Sequence, residues 1–307
     1  KKLKLFLYCF FFGVITFDLD MNMSENLFRV TFLGTGAPPP TLQRFGPSTL
    51  VEVGSEKFIF DAGRGAMQRL HQLKLPFSKI TGIFLTHHHS DHLVGFTDLW
   101  LTGWIGRVWG SRTKPLRVWG PAGTEEMVKH LPLAFATDIR VRSASYPPEG
   151  VKLISTEISE GVAFDQNGVT VTSFFVDHGG EHLIALGYRV EFNGHSVCIS
   201  GDTTFNENVI KYGKNSDVLI HEVVYGKVLG EERKNFNRIT KNHTLPDRAG
   251  EVFAQARPKL AVYTHILLLG GASSGELIPA TRATYDGPLV VAEDLMQINV
   301  GKKIRVD

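Results

Sequence analysis

Positions 87–92 read His-His-His-Ser-Asp-His, four histidines and an aspartate in six residues, directly after the apolar run 83–85. Imidazole nitrogens and carboxylate oxygens are the natural ligands of zinc-like cations where thiolates are absent. His87 and His89 alternate along a chain leaving a strand, so both can face one ion. Asp91 and His92 fall one turn further on, toward a second. A lone His-x-His would read as a polar loop; this density of ligand types does not. Two ions need more than these four residues, and three later positions share one local context. His178 follows "TSFFVD", Asp202 follows "CISG" and His265 follows "LAVYT", each an apolar run that gives way to an irregular turn. Rigid strand ends are where scaffolds hold functional groups.

The elements that must position these residues are short strands mixed with helices. "RVTFLG", "STLVEV" and "KFIFDAG" read as strands, and "ITGIFLT" as a buried strand that delivers the chain into the histidine cluster. Apolar residues at helical spacing predict a helix over 63–75, ending before Pro76. "GTEEMVKHL" predicts a second helix with Thr124 as N-cap. "HTLPDRAGEVFAQA" predicts a third, with Thr244 capping, Pro246 in the first turn and Asp247 at the capping-box position. Asn167-Gly168 and Asn193-Gly194 predict hairpins. "SDVLIHE", "PKLAVYTHI" and "PLVVAED" complete the strands. No repeat, low-complexity tract or linker divides the chain, so the reading is one layered α/β domain with two sheets.

The 307 residues are 43% apolar and 21% charged, with a net charge of +2. That composition supports a sizeable core. Near-balance of charge weighs against a polyanionic partner. Lys1, Lys2 and Lys4 precede the thirteen-residue apolar stretch "LFLYCFFFGVITF". A basic start and a short apolar run read as a secretory signal, too short for a stable membrane span. The expectation is a leader at 1–22, a domain at 23–307, and a periplasmic or secreted protein. No small-x-small cleavage site follows the run. Translation starting at Met21 or Met23 is the alternative and would leave the protein cytoplasmic. Without the leader only Cys198 remains, so neither a disulfide framework nor a cysteine metal site can form.

The ordered set HxHxDH, a later histidine, "SGDT" and a final "TH" resembles the metallo-β-lactamase fold superfamily. "FLGTGAPPP", "FDAGRGAMQ", "GYRVE", "HEVVYG", "NHTLPDRAGEVFAQARPKLAVYTHI" and "VVAEDLMQI" are similar to its branch of tRNA 3′-end endonucleases (RNase Z) and zinc-dependent arylsulfatases. The likeness runs from about Phe28 to the end. It implies a four-layer αβ/βα sandwich of two mixed β-sheets and a centre of two Zn2+, with Mn2+ or Fe2+ as alternatives. By matching position, His87, His89 and His178 would hold one ion, Asp91, His92 and His265 the other, and Asp202 would bridge them. Asp61 would orient the histidine loop from behind. A water shared by the ions would be the nucleophile. Glu222 would orient His243, which would protonate the leaving group.

Superfamily membership does not settle the substrate. A Glu–His donor suits an oxyanion ester with an alkoxide or phenoxide leaving group. RNase Z enzymes commonly insert a tRNA-clamping arm between the third and fourth metal motifs. Here only residues 179–201 separate His178 from Asp202, room for a hairpin and no more. The expectation is therefore an arylsulfatase acting on a small anionic ester, with no nucleic-acid partner. The alternative is a phosphodiesterase or an RNase Z-like endonuclease. "FTDLWLTGWIGRVWG" (96–110) offers three tryptophans for a leaving-group pocket, a homodimer contact or ordinary core packing. Residues 226–242 offer a polar lid or a solvated loop. His71, His130 and His195 read as structural or surface residues; His182 and His221 lie close in sequence to ligand candidates, where support behind a ligand is the alternative to no role.

Overall fold

The computed structural model describes residues 27–106, 109–230 and 232–307; the proposed leader lies outside them. One sheet contains β1 (Phe28–Gly34), β2 (Ser48–Val53), β3 (Glu56–Phe60), β4 (Gly82–Phe84), β5 (Leu116–Gly120) and β6 (Leu153–Glu157). The other contains β7 (Gly161–Gln166), β8 (Val169–Val176), β9 (Ala185–Phe192), β10 (His195–Ile199), β11 (Val218–Gly226), β12 (Leu260–Leu269) and β13 (Leu289–Val291). β14 (Gln297–Asn299) and β15 (Arg305–Val306) return to the first sheet. Strand orders are β15-β14-β1-β2-β3-β4-β5-β6 and β13-β12-β11-β10-β9-β8-β7, each mixing parallel and antiparallel pairs.

The sheets pack face to face. One apolar cluster joins Phe32, Val51, Phe58 and Phe84 of the first to Val171, Tyr188, Val197 and Ile220 of the second. Each such side chain contributes about 1.5–3 kcal/mol on leaving water. Helices cover both outer faces. Residues 66–72, 96–104 and 124–134 pack on the first sheet, and 207–213 and 246–256 on the second. The four-layer αβ/βα arrangement follows from strands that are apolar on both faces.

Local chemistry explains the agreements and departures. Asn167 and Gly168 have φ of 54° and 75°, Asn193 and Gly194 of 48° and 76°, the backbone that primed hairpin turns require. The expected caps differ. Gly123, at φ 101°, caps the helix 124–134, while the Thr124 hydroxyl bonds Pro121. Leu245 precedes the helix Pro246–Ala256 without a side-chain cap, because Thr244 is drawn into the site described below. Trp100 and Trp104 are fully buried and donate their indole N–H groups to Val151 O and Pro147 O, so they pack the core. Among the described residues, no helix is long and apolar enough to cross a membrane.

Candidate active site

The strand ends between the sheets converge on one buried cluster. β4 ends three residues before His87, and the chain turns through His89 into a single helical turn, Ser90–Leu93. This turn puts Asp91 and His92 inward. β8 ends two residues before His178. β10 ends three before Asp202, where Gly201 takes φ 64° and lies so close to Leu186 O that a Cβ would collide. All ten residues named from the sequence occupy this cluster or border it directly.

Asp202 Oδ2 lies 3.2 Å from His265 Nε2, 3.4 Å from His92 Nε2, 3.8 Å from His178 Nε2 and 4.0 Å from His87 Nε2. Asp91 Oδ2 is 3.6 Å from His92 Nε2 and 3.4 Å from His265 Nε2. His178 Nε2 meets His89 Nδ1 at 3.1 Å. The groupings His87–His89–His178 and Asp91–His92–His265 each bring three ligand atoms within 4.8 Å of one another, and Asp202 sits between them. Only His89 is exposed, at the mouth.

The donor set fits divalent cations. Behind three of the histidines, the far nitrogen is already engaged: His87 Nδ1 with Thr86 Oγ1 (2.9 Å), His92 Nδ1 with Asp61 Oδ2 (2.8 Å) and His178 Nδ1 with Asn242 O (2.7 Å). The inward Nε2 atoms of His87 and His92 are buried without a hydrogen-bond partner. Orphaned buried nitrogens cost free energy unless a ligand satisfies them, and rings fixed from behind are what metal sites require. Asp61 also accepts from Thr86 N and Thr86 Oγ1, both at 2.7 Å. Asp61 and His265 take φ of 60° and 41°, strain of about 1–3 kcal/mol each that surrounding structure must hold.

Charge follows geometry. Burial opposes the charge on Asp202, but His265, His92 and His87 hold its carboxyl well below the ordinary carboxylate range. Burial pushes the His87 imidazole down, with His92 adding to it. For His243, burial lowers the affinity for a proton, yet the charge and hydrogen bond of Glu222, then Asp202, overcome it and raise the value to about 9. His243 Nδ1 lies 3.2 Å from Glu222 Oε1, which also accepts from Thr244 N at 2.9 Å and Thr203 N at 3.3 Å.

Sequence reasoning placed His265 and Glu222 at strand ends, whereas both lie inside long strands. β12 bulges between Thr264 and Ile266, so consecutive residues Thr264 and His265 face the site where strict alternation would turn one away. It also missed Thr86, the Asn242 carbonyl and the Thr203 and Thr244 amides. Thr86 alone had a signal, as the polar residue between an apolar strand and the cluster.

A family model described as "Beta-lactamase superfamily domain" matches residues 56–266. The chain belongs to this superfamily and has the metallo-β-lactamase fold, the fold of a metal-dependent hydrolase that binds divalent cations. Within it, the chain is 30% identical over 284 residues to a Ribonuclease Z of Mycolicibacterium gilvum (strain PYR-GCK), covering 89% of this chain and 96% of the relative. It is 31% identical over 282 residues to a Ribonuclease Z of Mycobacterium bovis (strain BCG / Pasteur 1173P2), covering 89% and 99%. The crystal structure of the metallo-beta-lactamase fold protein YhfI from Bacillus subtilis superimposes with a TM-score of 0.70 at 17% identity, covering 90% and 100%. That of human tRNase Z, short form, gives 0.65 at 23% identity, covering 89% and 99%.

These relatives overturn the arylsulfatase expectation, and with it the small anionic ester as sole substrate and the exclusion of nucleic acid. The earlier inference failed for physical reasons. Net charge is an average over the whole chain and says little about one face. A Glu–His donor beside a ligand cluster serves a phosphodiester as well as a sulfate ester.

Proposed function

We propose that the protein is a phosphodiesterase of the RNase Z type that cleaves precursor tRNA near its 3′ end. The observation that carries this reading is the match to proteins named Ribonuclease Z along nearly their whole length. Two divalent cations, zinc by preference of the donor set, would be held by His87, His89 and His178 and by Asp91, His92 and His265, with Asp202 shared. When bound they supply an activated water and polarise a phosphoryl oxygen. The chain's own residues do the rest. Asp61, Thr86 and Asn242 O keep the imidazoles aimed inward. His243, protonated at neutral pH, delivers its proton to the departing ribose oxygen, and Glu222 fixes its ring.

Residues 226–242, which hold five basic and two acidic side chains, adjoin the donor. They are tied to His178 through Asn242. The exposed helix Glu232–Ile239 presents Arg233, Lys234 and Arg238 as candidates for phosphate contact. Residues 179–201 form one short turn and the β9–β10 hairpin, which leaves residues 226–242 as the candidate RNA-contacting segment.

Incubating the metal-loaded protein with a precursor tRNA carrying a 3′ trailer tests the proposal. Endonucleolytic release of the trailer is expected. Turnover of bis(4-nitrophenyl) phosphate with the precursor left intact would shift the assignment to small phosphodiesters.

A further inference from the structure

Glu222 lies where the second sheet loses a strand. Pairing of β10 with β11 ends at Ile199↔Ile220, and Ser200 N–H to Ile220 O is the last rung before the chain turns away toward Asp202. The Glu222 peptide groups on that side have no strand to meet, and side chains take its place. Glu222 N–H donates to Ser200 Oγ at 3.2 Å, and Glu222 O accepts from His221 Nδ1 at 2.7 Å.

His221 is an odd residue for this position. It lies on the helix-facing side of β11, in line with Leu219 and Val223, fully buried and edge-on to Phe253. Its Nε2 has no partner. A leucine or phenylalanine there would avoid an orphaned acceptor that costs about 1–3 kcal/mol. Packing therefore gives no reason for a histidine, whereas a Nδ1–H donor to the next carbonyl does. Burial lowers its proton affinity and keeps the ring neutral, leaving one nitrogen to donate.

We propose that His221 is a positioning residue: by holding the carbonyl of Glu222 at the vacated edge it fixes the backbone from which the Glu222 carboxylate reaches His243. This rests on the proton-donor reading of His243. Glu222 Oε1 must meet Thr203 N, Thr244 N and His243 at once, so a change in its peptide orientation disturbs all three.

His221→Phe keeps a planar ring at this buried position, somewhat larger than imidazole, and removes both the donor and the orphan. His221→Asn puts an amide N–H close to where Nδ1 stands. Rates should be compared on an RNA phosphodiester, whose leaving group is a ribose alkoxide, and on bis(4-nitrophenyl) phosphate, whose leaving group needs no proton. For His221→Phe we expect kcat on RNA to fall about tenfold, a fraction of the usual general-acid contribution. KM, bound metal and turnover of the aryl ester should stay nearly constant, and His221→Asn should restore most of the loss. Equal losses on both substrates, no loss at all, or a selective loss that asparagine leaves uncorrected would each overturn the proposal. His243→Ala run alongside separates the two ideas. If it shows no leaving-group dependence, the donor reading fails; if it does and His221→Phe does not, only the present inference fails. Should His221→Phe not fold, 15N NMR of the wild-type imidazole decides: a proton on Nδ1 is expected, and one on Nε2 refutes the assignment.

Discussion

Replacing Glu222 with glutamine isolates the charge that, under the proposed function, prepares His243 for proton donation. The change keeps shape and one carbonyl oxygen, so Thr203 N and Thr244 N retain an acceptor. What disappears is a carboxylate 3.2 Å from an imidazole that burial would otherwise deprotonate. Lifting that imidazole from an ordinary 6.5 to about 9 corresponds to about 3 kcal/mol in favour of its charged form. Glu222 is the main source, and an opposite charge at this range is worth roughly 1–3 pH units. The sign is definite. The wild-type donor is held charged by Glu222, so activity on RNA should be lost on the alkaline side, at a pH that bound cations bring below the metal-free value of about 9. In Glu222→Gln that limb should move acidward, so that at pH about 8.5 kcat on RNA falls roughly tenfold or more. Bis(4-nitrophenyl) phosphate should change far less, because 4-nitrophenolate leaves unaided. Stability follows the same linkage. The His243–Glu222 contribution is complete below pH 6.5 and fades as pH approaches about 9, so the wild-type Tm should decline across that window and the variant's should be flatter. Full pH–rate profiles on both substrates provide the assay. An alkaline limb that stays put, or one that shifts equally for both, would refute the assignment of His243 as donor.

Asp61→Asn removes the charge that accepts from His92 Nδ1 and twice from Thr86; chelator competition should show metal affinity lowered about 10–100-fold. Unchanged affinity would mean the histidine loop needs no such support. Charge reversal of Lys234 and Arg238 to glutamate should raise KM for precursor tRNA and flatten its salt dependence, with bis(4-nitrophenyl) phosphate turnover unaffected, since phosphate contacts act through counterion release. Equal KM values would remove residues 226–242 from the RNA-binding face. Cys198 is fully buried and its thiol is pushed up to about 12 by burial, so a thiol reagent at pH 8 should label it only after unfolding. Rapid labelling of the native protein would contradict the packing of β10 against its helical layer.

The cluster of candidate ligands was legible in the chain because metal chemistry leaves a local signature. His87, His89, Asp91 and His92 are close enough in sequence that spacing alone suggests two ions. His178, Asp202 and His265 each stand out as a ligand type at the end of an apolar run. The two hairpin turns were equally legible, since Asn-Gly suits φ > 0 with little strain. Other features depended on neighbours distant in sequence. Thr244 looks like a helix cap and instead gives its amide to Glu222, which lies 22 residues earlier. Three tryptophans within fifteen residues left a pocket, a dimer contact and core packing open, and two of them fill the core, where Val151 and Pro147 supply carbonyls for their N–H groups. Substrate choice was the least legible. It depends on the surfaces around the centre, and composition averages those away. The sequence by itself determined which atoms could bind metal and that strands would present them. Only the tertiary structure decided how a bulge turns His265 inward and how the early end of β10 leaves Glu222 to be held by Ser200 and His221. Such register shifts depend on which strand ends beside which, and no local propensity encodes that pairing.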